Sequence, residues 1–313
     1  MVLYCKLYGG ILMNKNTKYK IIISIFVILI IVLLVILNLR KNNNDKVDDQ
    51  TTKIVSSFYP MYIIAENITD GAQNIELVNM ADVNVGCLHD YTLTTEDMKK
   101  IENADIFIVN GLGMENFIDK AMSSNENMKV IDSSKNITNI ISEDDEINAH
   151  IWTSIDNYII QVKNISEELI NLDKENAELY KNNTDEYLNK LEELKKTYLE
   201  NLKDLDGDKV ISLNESFEYL GKELNLDMTT IKTDHEESTL SAEMLKNIID
   251  KVNNEKIKII IIDKDDNDEN AKAIADETGA KIYKLNSGLK GDLDKDAYIK
   301  QVEENMQILT QDD

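Results

Sequence analysis

From Asn157 to Leu205 the chain runs without a proline or glycine, rich in Glu, Lys and Leu, with helical periodicity throughout. No other feature limits the fold as strongly, because different patterns lie on its two sides. The polarity of the stretch argues against a core element, and its apolar positions do not hold a heptad long enough for a coiled coil. The spacing predicts a rod over 157–205 that connects two bodies, with local breaks at Asp173 and at Asn182-Asn183.

Before the rod, short apolar runs alternate with helical spacings. Lys53 to Pro60 reads as a strand ending at a helix entry, and Met61 to Ile68 as a helix stopped by Asp70-Gly71. Ile75 to Met80 is a strand, and Thr94-Thr95-Glu96-Asp97-Met98 the capped start of a helix. Asp105 to Gly111 is a strand apolar on both faces, Glu115 to Ser123 a helix, and Lys129 to Asp132 a strand. After the rod the alternation resumes, with strands at 209–213, 228–231, 257–263 and 281–285. Helices fall at 216–224, 241–253, 270–278 and 296–309. Alternating elements with short links predict an α/β fold: two lobes, each a mostly parallel sheet flanked by helices, joined by one long α-helix.

The start of the chain is different. Ile21 to Leu39 carries no charge and, at 1.5 Å per residue, matches a hydrocarbon core about 30 Å thick. Lys15, Lys18 and Lys20 precede it, which predicts an N-terminus on the cytoplasmic side. Neither a small-residue cleavage site nor a lipoprotein cysteine follows, so the reading is an uncleaved transmembrane signal anchor. The expected organisation is a cytoplasmic N-terminus (1–20), anchor (21–39), tether (40–52), N-terminal lobe (53–156), linking helix (157–205) and C-terminal lobe (206–313). Met13 is an alternative start. The chain is thus expected to be a single-pass bacterial cell-membrane protein, its folded part outside the cytoplasm.

A net charge of −24 excludes nucleic acid as a partner, since a phosphate backbone would be repelled. The two cysteines, Cys5 and Cys87, fall on opposite sides of the anchor, so neither a disulfide framework nor a cysteine-cluster metal site is expected. Acidic runs at Asp263 to Asp268 and at Asp292 to Asp296 lack the glycine and closing glutamate of a calcium loop and read as solvated. No phosphate loop, dinucleotide fingerprint or nucleophile elbow occurs, so no enzyme activity is expected.

The three histidines are more informative. His89 sits in Gly86-Cys87-Leu88-His89-Asp90-Tyr91, between an apolar loop and the helix capped by Thr94. His150 sits in Asn148-Ala149-His150-Ile151-Trp152, after the acidic loop Glu143 to Glu146. Each alone suits a structural role; together in one lobe they make a two-imidazole metal candidate. Further ligands would come from strand ends of the second lobe, where Asn214, Glu215, Asp263 and Asn286 stand. His235 lies in another such loop, and Asp90 is expected to orient an imidazole from behind.

These segments together resemble the metal-binding receptor (solute-binding protein) of zinc and manganese ABC importers. The matching residues are Ser57-Phe58-Tyr59-Pro60, His89-Asp90-Tyr91 with Thr94 and Asp97, and Ala104 to Phe107 through Asn110-Gly111. They continue with His150-Ile151-Trp152, Phe217-Glu218-Tyr219-Leu220 and Ala275 to Lys281. The resemblance runs from Lys53 to the end and implies a monomer that holds a divalent transition metal between two lobes for an ABC transporter permease. It also implies ligands at His89 and His150, a third (His or Glu) at Asn214 and a fourth (Asp) at Asn286. Both second-lobe positions are amides here, and a neutral amide oxygen is a weaker ligand than carboxylate or imidazole. Either Glu215 or His235 then substitutes, or the site is weakened or lost. In the last case an adhesion or interaction protein of the same fold is the alternative.

Overall fold

The apolar runs pair in parallel, and the most apolar of them take the centres of the sheets. The computed structural model describes residues 19, 20, 26, 30, 51–83, 85–89, 91–143, 146–232 and 240–311. The first sheet has the order β2-β1-β3-β4, from β1 (Thr52–Ser56), β2 (Ile75–Asn79), β3 (Ile106–Val109) and β4 (Lys129–Asp132). Its registers are parallel throughout, Ile54 lying against both Leu77 and Ile106. β3 reads Ile-Phe-Ile-Val and is buried at all four positions, as a central parallel strand covered on both faces must be. Helices α1 (Tyr59–Thr69), α2 (Thr95–Glu102) and α3 (Ile118–Ser124) connect these strands. Pro60 sits in the first turn of α1, where its missing N–H costs no hydrogen bond. A short antiparallel pair, β5 (Ser142–Glu143) and β6 (Glu146–Ile147), forms at the acidic loop.

After β6 come two helices, α4 (Ile155–Leu172) and α5 (Ala177–Leu202). Here the expectation of one helix over 157–205 is corrected. Asp173 stops α4: its Oδ1 accepts from the amides of Glu175 and Asn176, and its Oδ2 from Asn176 Nδ2 and the Tyr180 hydroxyl at 2.7 and 2.8 Å. A side chain that answers so many donors gives the backbone a stable alternative to helix. The other expected break does not occur. Asn183 stays helical and donates to the carbonyls of Ile68 and Asp70, closing the end of α1. Nor is α5 a solvated rod. Tyr180, Thr184, Tyr187, Leu191, Leu194, Tyr198 and Leu202 form one buried stripe packed on α1, α4 and the last helix.

The second sheet has the order β10-β9-β7-β8, all parallel, from β7 (Lys209–Ser212), β8 (Asp227–Thr230), β9 (Ile259–Asp263) and β10 (Lys281–Leu285). α6 (Glu218–Glu223), α7 (Ala242–Glu255), α8 (Glu269–Thr278) and α9 (Ala297–Thr310) flank it. β9, with four isoleucines and Asp263, is buried along its whole length beside β7. One face of this sheet joins a core that runs unbroken into the first sheet, through Val210, Ile259, Ile261, Leu285 and Tyr298. The other face packs on α7 and α8 through Ile211, Ile260, Ile262, Ile248, Val252 and Ile274.

Among the described residues no helix is long and apolar enough to cross a membrane. Of the expected anchor only Phe26 and Ile30 are described; both are helical and exposed. The rest of 21–39, and 40–50 of the tether, lie outside the described residues. Thr52, the last residue of the expected tether, already belongs to β1.

Candidate metal centre

Parallel strands send their following loops to one edge of the sheet. In the first sheet the stretches after β2 and β4 carry His89 and His150, and the loop after β3 packs beside them. The loop after β2 is pinned at both sides of His89. Leu88 is fully buried, and the Tyr91 hydroxyl donates to Asp97 Oδ2 at 2.7 Å. The same carboxylate closes a capping box with Thr94 at the start of α2. The carbonyl of His89 accepts from Asn116 Nδ2, so the neighbouring loop holds the backbone as well. Asp90, expected behind an imidazole, lies outside the described residues.

His150 precedes the single 3-10 turn Ile151–Thr153 that leads into α4, and it is 1% exposed. Asn148 does for it what was expected of Asp90. Its Oδ1 accepts from the His150 backbone amide and lies 2.9 Å from His150 Nδ1. Its Nδ2 donates to the Glu215 carbonyl and to Glu218 Oε2 at 2.9 and 2.8 Å. With the amide nitrogen committed to two acceptors, the oxygen must face the ring, and Nδ1 must carry the proton. Nε2 is therefore the atom of His150 that could take a metal. The ring also packs 5.2 Å from that of Trp152, whose Nε1 donates to the Ser287 carbonyl beyond β10.

The two imidazoles meet, with ring centroids 5.0 Å apart. Beside both stands Cys87, which was expected neither in a disulfide nor in a cysteine-cluster metal site and was not among the candidate ligands. Its Sγ lies 2.7 Å from His89 Nδ1 and 3.3 Å from His150 Nε2. Among the described residues Cys87, His89 and His150 are the one group of three His, Cys, Asp or Glu whose ligand atoms gather, all within 4.8 Å of one another. Tetrahedral zinc takes Cys sulfur at about 2.3 Å and His nitrogen at about 2.0–2.1 Å, so ligand atoms there stand some 3.3–3.8 Å apart. The cluster is within a small side-chain adjustment of that geometry. The signal in the sequence was the Cys-x-His spacing itself, which places both side chains on one tight loop.

The second sheet contributes less. Asn214 Oδ1 accepts from the Ser216 amide, opening the turn at Glu215–Phe217, and its Nδ2 donates to Asp266 Oδ2 at 2.8 Å. Asn286 Oδ1 accepts from the Gly288 amide, and its Nδ2 donates to Glu304 Oε2. Each amide is thus engaged within its own half of the fold, Asn214 with the loop after β9 and Asn286 with α9. Glu215 comes to 4.0 Å of His150, but at Nδ1, the nitrogen already facing Asn148. Asp263 accepts from the amides of Asp265 and Ser287, and burial raises its carboxyl above the usual carboxylate range. His235 lies outside the described residues. Asp268, in the acidic run after β9, is paired with Lys272 and Lys284.

Comparison with known proteins extends these observations. The profile of a family described as zinc-uptake complex component A, periplasmic, matches residues 54–312. The chain is 28% identical over 279 residues to the high-affinity zinc uptake system protein ZnuA of Bacillus subtilis (strain 168), spanning 82% of this chain and 86% of that protein. It is 25% identical to the manganese-binding lipoprotein MntA of Halalkalibacterium halodurans, over 83% of this chain and 87% of that one. Among solved structures, the SBP FpvC of P. aeruginosa in complex with Ni2+ superposes with a TM-score of 0.74 at 26% identity, covering 83% of this chain and 95% of its own.

Proposed function

The chain belongs to the zinc-uptake component A family, and on that premise we propose that it captures a divalent transition metal, zinc or manganese, for an ABC importer. The observation that carries this is the meeting of Cys87, His89 and His150 at the loop edge of the first sheet, with Asn148 fixing the tautomer of His150. Binding, not catalysis, is the task. The metal is cargo, handed on to the permease of the importer. The ion sits between an N-terminal lobe (53–156) and a C-terminal lobe (206–313), and the chain works as a monomer. The uncharged run 21–39 anchors it as a signal anchor, with 53–313 outside the cytoplasm.

Titration of the purified chain with Zn2+ and with Mn2+ tests the proposal. One ion bound per chain, with binding lost in His89→Ala and in His150→Ala, is the expected result. Saturation only in the high-micromolar range, or wild-type binding by His89→Ala, overturns it. The second reading, a surface adhesion protein that keeps the fold, is favoured by one observation: Asn214 and Asn286, where the family has ligands, are engaged within their own half of the fold. It predicts a folded chain that takes up neither ion.

A further inference from the structure

A buried thioether stands beside the cluster. Met114, in the loop after β3, is fully buried, and its Sδ lies 3.7 Å from Cys87 Sγ. The loop that aims it is unusual. Gly111, Leu112 and Gly113 all have left-handed backbone, with φ of 87°, 55° and 84°. For Leu112 that conformation costs about 1–2 kcal/mol. A buried carboxylate, Glu115, holds the turn in place. Its Oε1 accepts from Ser57 Oγ and the Asn110 amide at 2.7 and 2.8 Å, and its Oε2 from the Gly111 amide at 3.1 Å. The backbone thus supports a strained path whose outcome is to set a thioether against a thiol.

We propose that Cys87, His89, His150 and Met114 form a complete four-donor site within the first sheet's loops, selective for thiophilic d10 cations, Cu+ and Zn2+, over Mn2+. The inference rests on the proposed metal-capture function and names the class of cargo. Two sulfurs bound to one tetrahedral ion at about 2.3 Å each stand roughly 3.8 Å apart, close to the separation found here. Thiolate and thioether donors select Cu+ and Zn2+, whereas Mn2+ favours carboxylate and water and stands lowest in the divalent affinity order. Two imidazoles, a thiolate and a weak thioether make up the donor set of blue-copper centres, so copper accepts this composition. The site also explains why amides are tolerated at Asn214 and Asn286: with four donors from one sheet, no ligand from the other is required. On binding, the Cys87 thiol loses its proton to solvent as the sulfur–metal bond forms.

The test uses the full chain in detergent, kept anaerobic, with Co2+ as an optical stand-in for zinc. Wild type is expected to show a thiolate-to-cobalt charge-transfer band in the near ultraviolet, bleached by Zn2+ and not by equimolar Mn2+. Cys87→Ser should remove the band and weaken Zn2+ binding by about a hundredfold or more, since even partners behind a ligand are worth 10–100-fold. Met114→Leu, which conserves volume, should weaken Cu+ binding against a chromophoric Cu+ chelator by about tenfold while the far-ultraviolet spectrum is unchanged. A bound Co2+ without the band, Mn2+ displacing Zn2+ at equal concentration, or full Cu+ affinity in Met114→Leu overturns the inference. If ions bind and need His89 but not Cys87, only this inference falls; if no ion binds, the capture function falls with it.

Discussion

The amide of Asn148 decides which nitrogen of His150 can hold a cation. Its nitrogen is committed to the Glu215 carbonyl and Glu218, so its oxygen faces Nδ1 and leaves Nε2 toward Cys87 Sγ. Replacing it by alanine removes that constraint and leaves the imidazole to choose its tautomer and tilt. Asn148→Ala should lower metal affinity by about 10–100-fold with the fold intact, measured by competition titration alongside circular dichroism. Unchanged affinity would show that His150 is oriented by its packing on Trp152 alone. His89 and His150 were legible because imidazoles in loops at strand ends are few and chemically distinct. Asn148 and Cys87 were not, although both sit two residues from a histidine. Spacing says that they are near; only the folded loops show that one faces Nδ1 and the other stands beside both rings. For the amides at 214 and 286, which the resemblance pointed to, engagement with Ser216, Asp266, Gly288 and Glu304 depends on a folded arrangement that periodicity does not encode.

At the scale of elements, the stretch from 155 to 202 separates what pattern can and cannot reveal. Strands such as β3 and β9 were plain because a parallel strand buried on both faces needs an uninterrupted apolar run. The helix break was ambiguous because Asp173 and Asn182-Asn183 are equally poor helix formers on propensity. What separates them is tertiary. Asp173 finds four donors after the turn, whereas Asn183 finds acceptors at the end of α1 and Asn182 points to solvent. Asp173→Ala should therefore destabilise the chain by about 1–3 kcal/mol through lost caps and an unanswered Tyr180 hydroxyl. Asn182→Ala, at an exposed helical position, should be neutral or stabilising by a few tenths of a kcal/mol. Denaturant midpoints at constant slope read both. Equal effects at the two sites would mean that the turn at 173–176 is not held by its aspartate. The buried stripe of α5 was hidden for a related reason: three of its positions are tyrosines, which keep a polar tip and so read as surface.

At the scale of the whole molecule, Tyr187 of that stripe joins two further buried tyrosines, Tyr158 and Tyr298, in a junction between the sheets. Tyr158 of α4 stacks on Tyr298 of α9, with ring centroids 3.5 Å apart and planes within 1°. Its hydroxyl lies 3.1 Å from that of Tyr187 on α5, and the Tyr298 hydroxyl donates to the Trp152 carbonyl, two residues from His150. Because the core runs through this junction, the sheets should unfold as one unit. Burial pushes Tyr158 and Tyr298 well above the ordinary tyrosine range. Burial, then the charges of Asp292, Asp294 and Glu66, pushes Tyr59 up to about 12. The sign follows from linkage. A phenol whose folded value is raised contributes its full stabilisation below the unfolded value of about 10. That contribution is lost as the pH climbs above 10, where only the unfolded chain releases the proton. Stability should therefore fall steeply above pH 10, read as the denaturant midpoint of helical circular dichroism at each pH. Repulsion from a net charge of −24 would also weaken the chain, but it is present at neutral pH and does not depend on these rings. Replacing Tyr158 and Tyr298 by phenylalanine separates the two causes. The double variant loses hydroxyl hydrogen bonds and should be less stable at pH 7, yet its stability should decline less per pH unit above 10. An undiminished slope would show that these two hydroxyls are not the groups whose ionisation weakens the chain above pH 10.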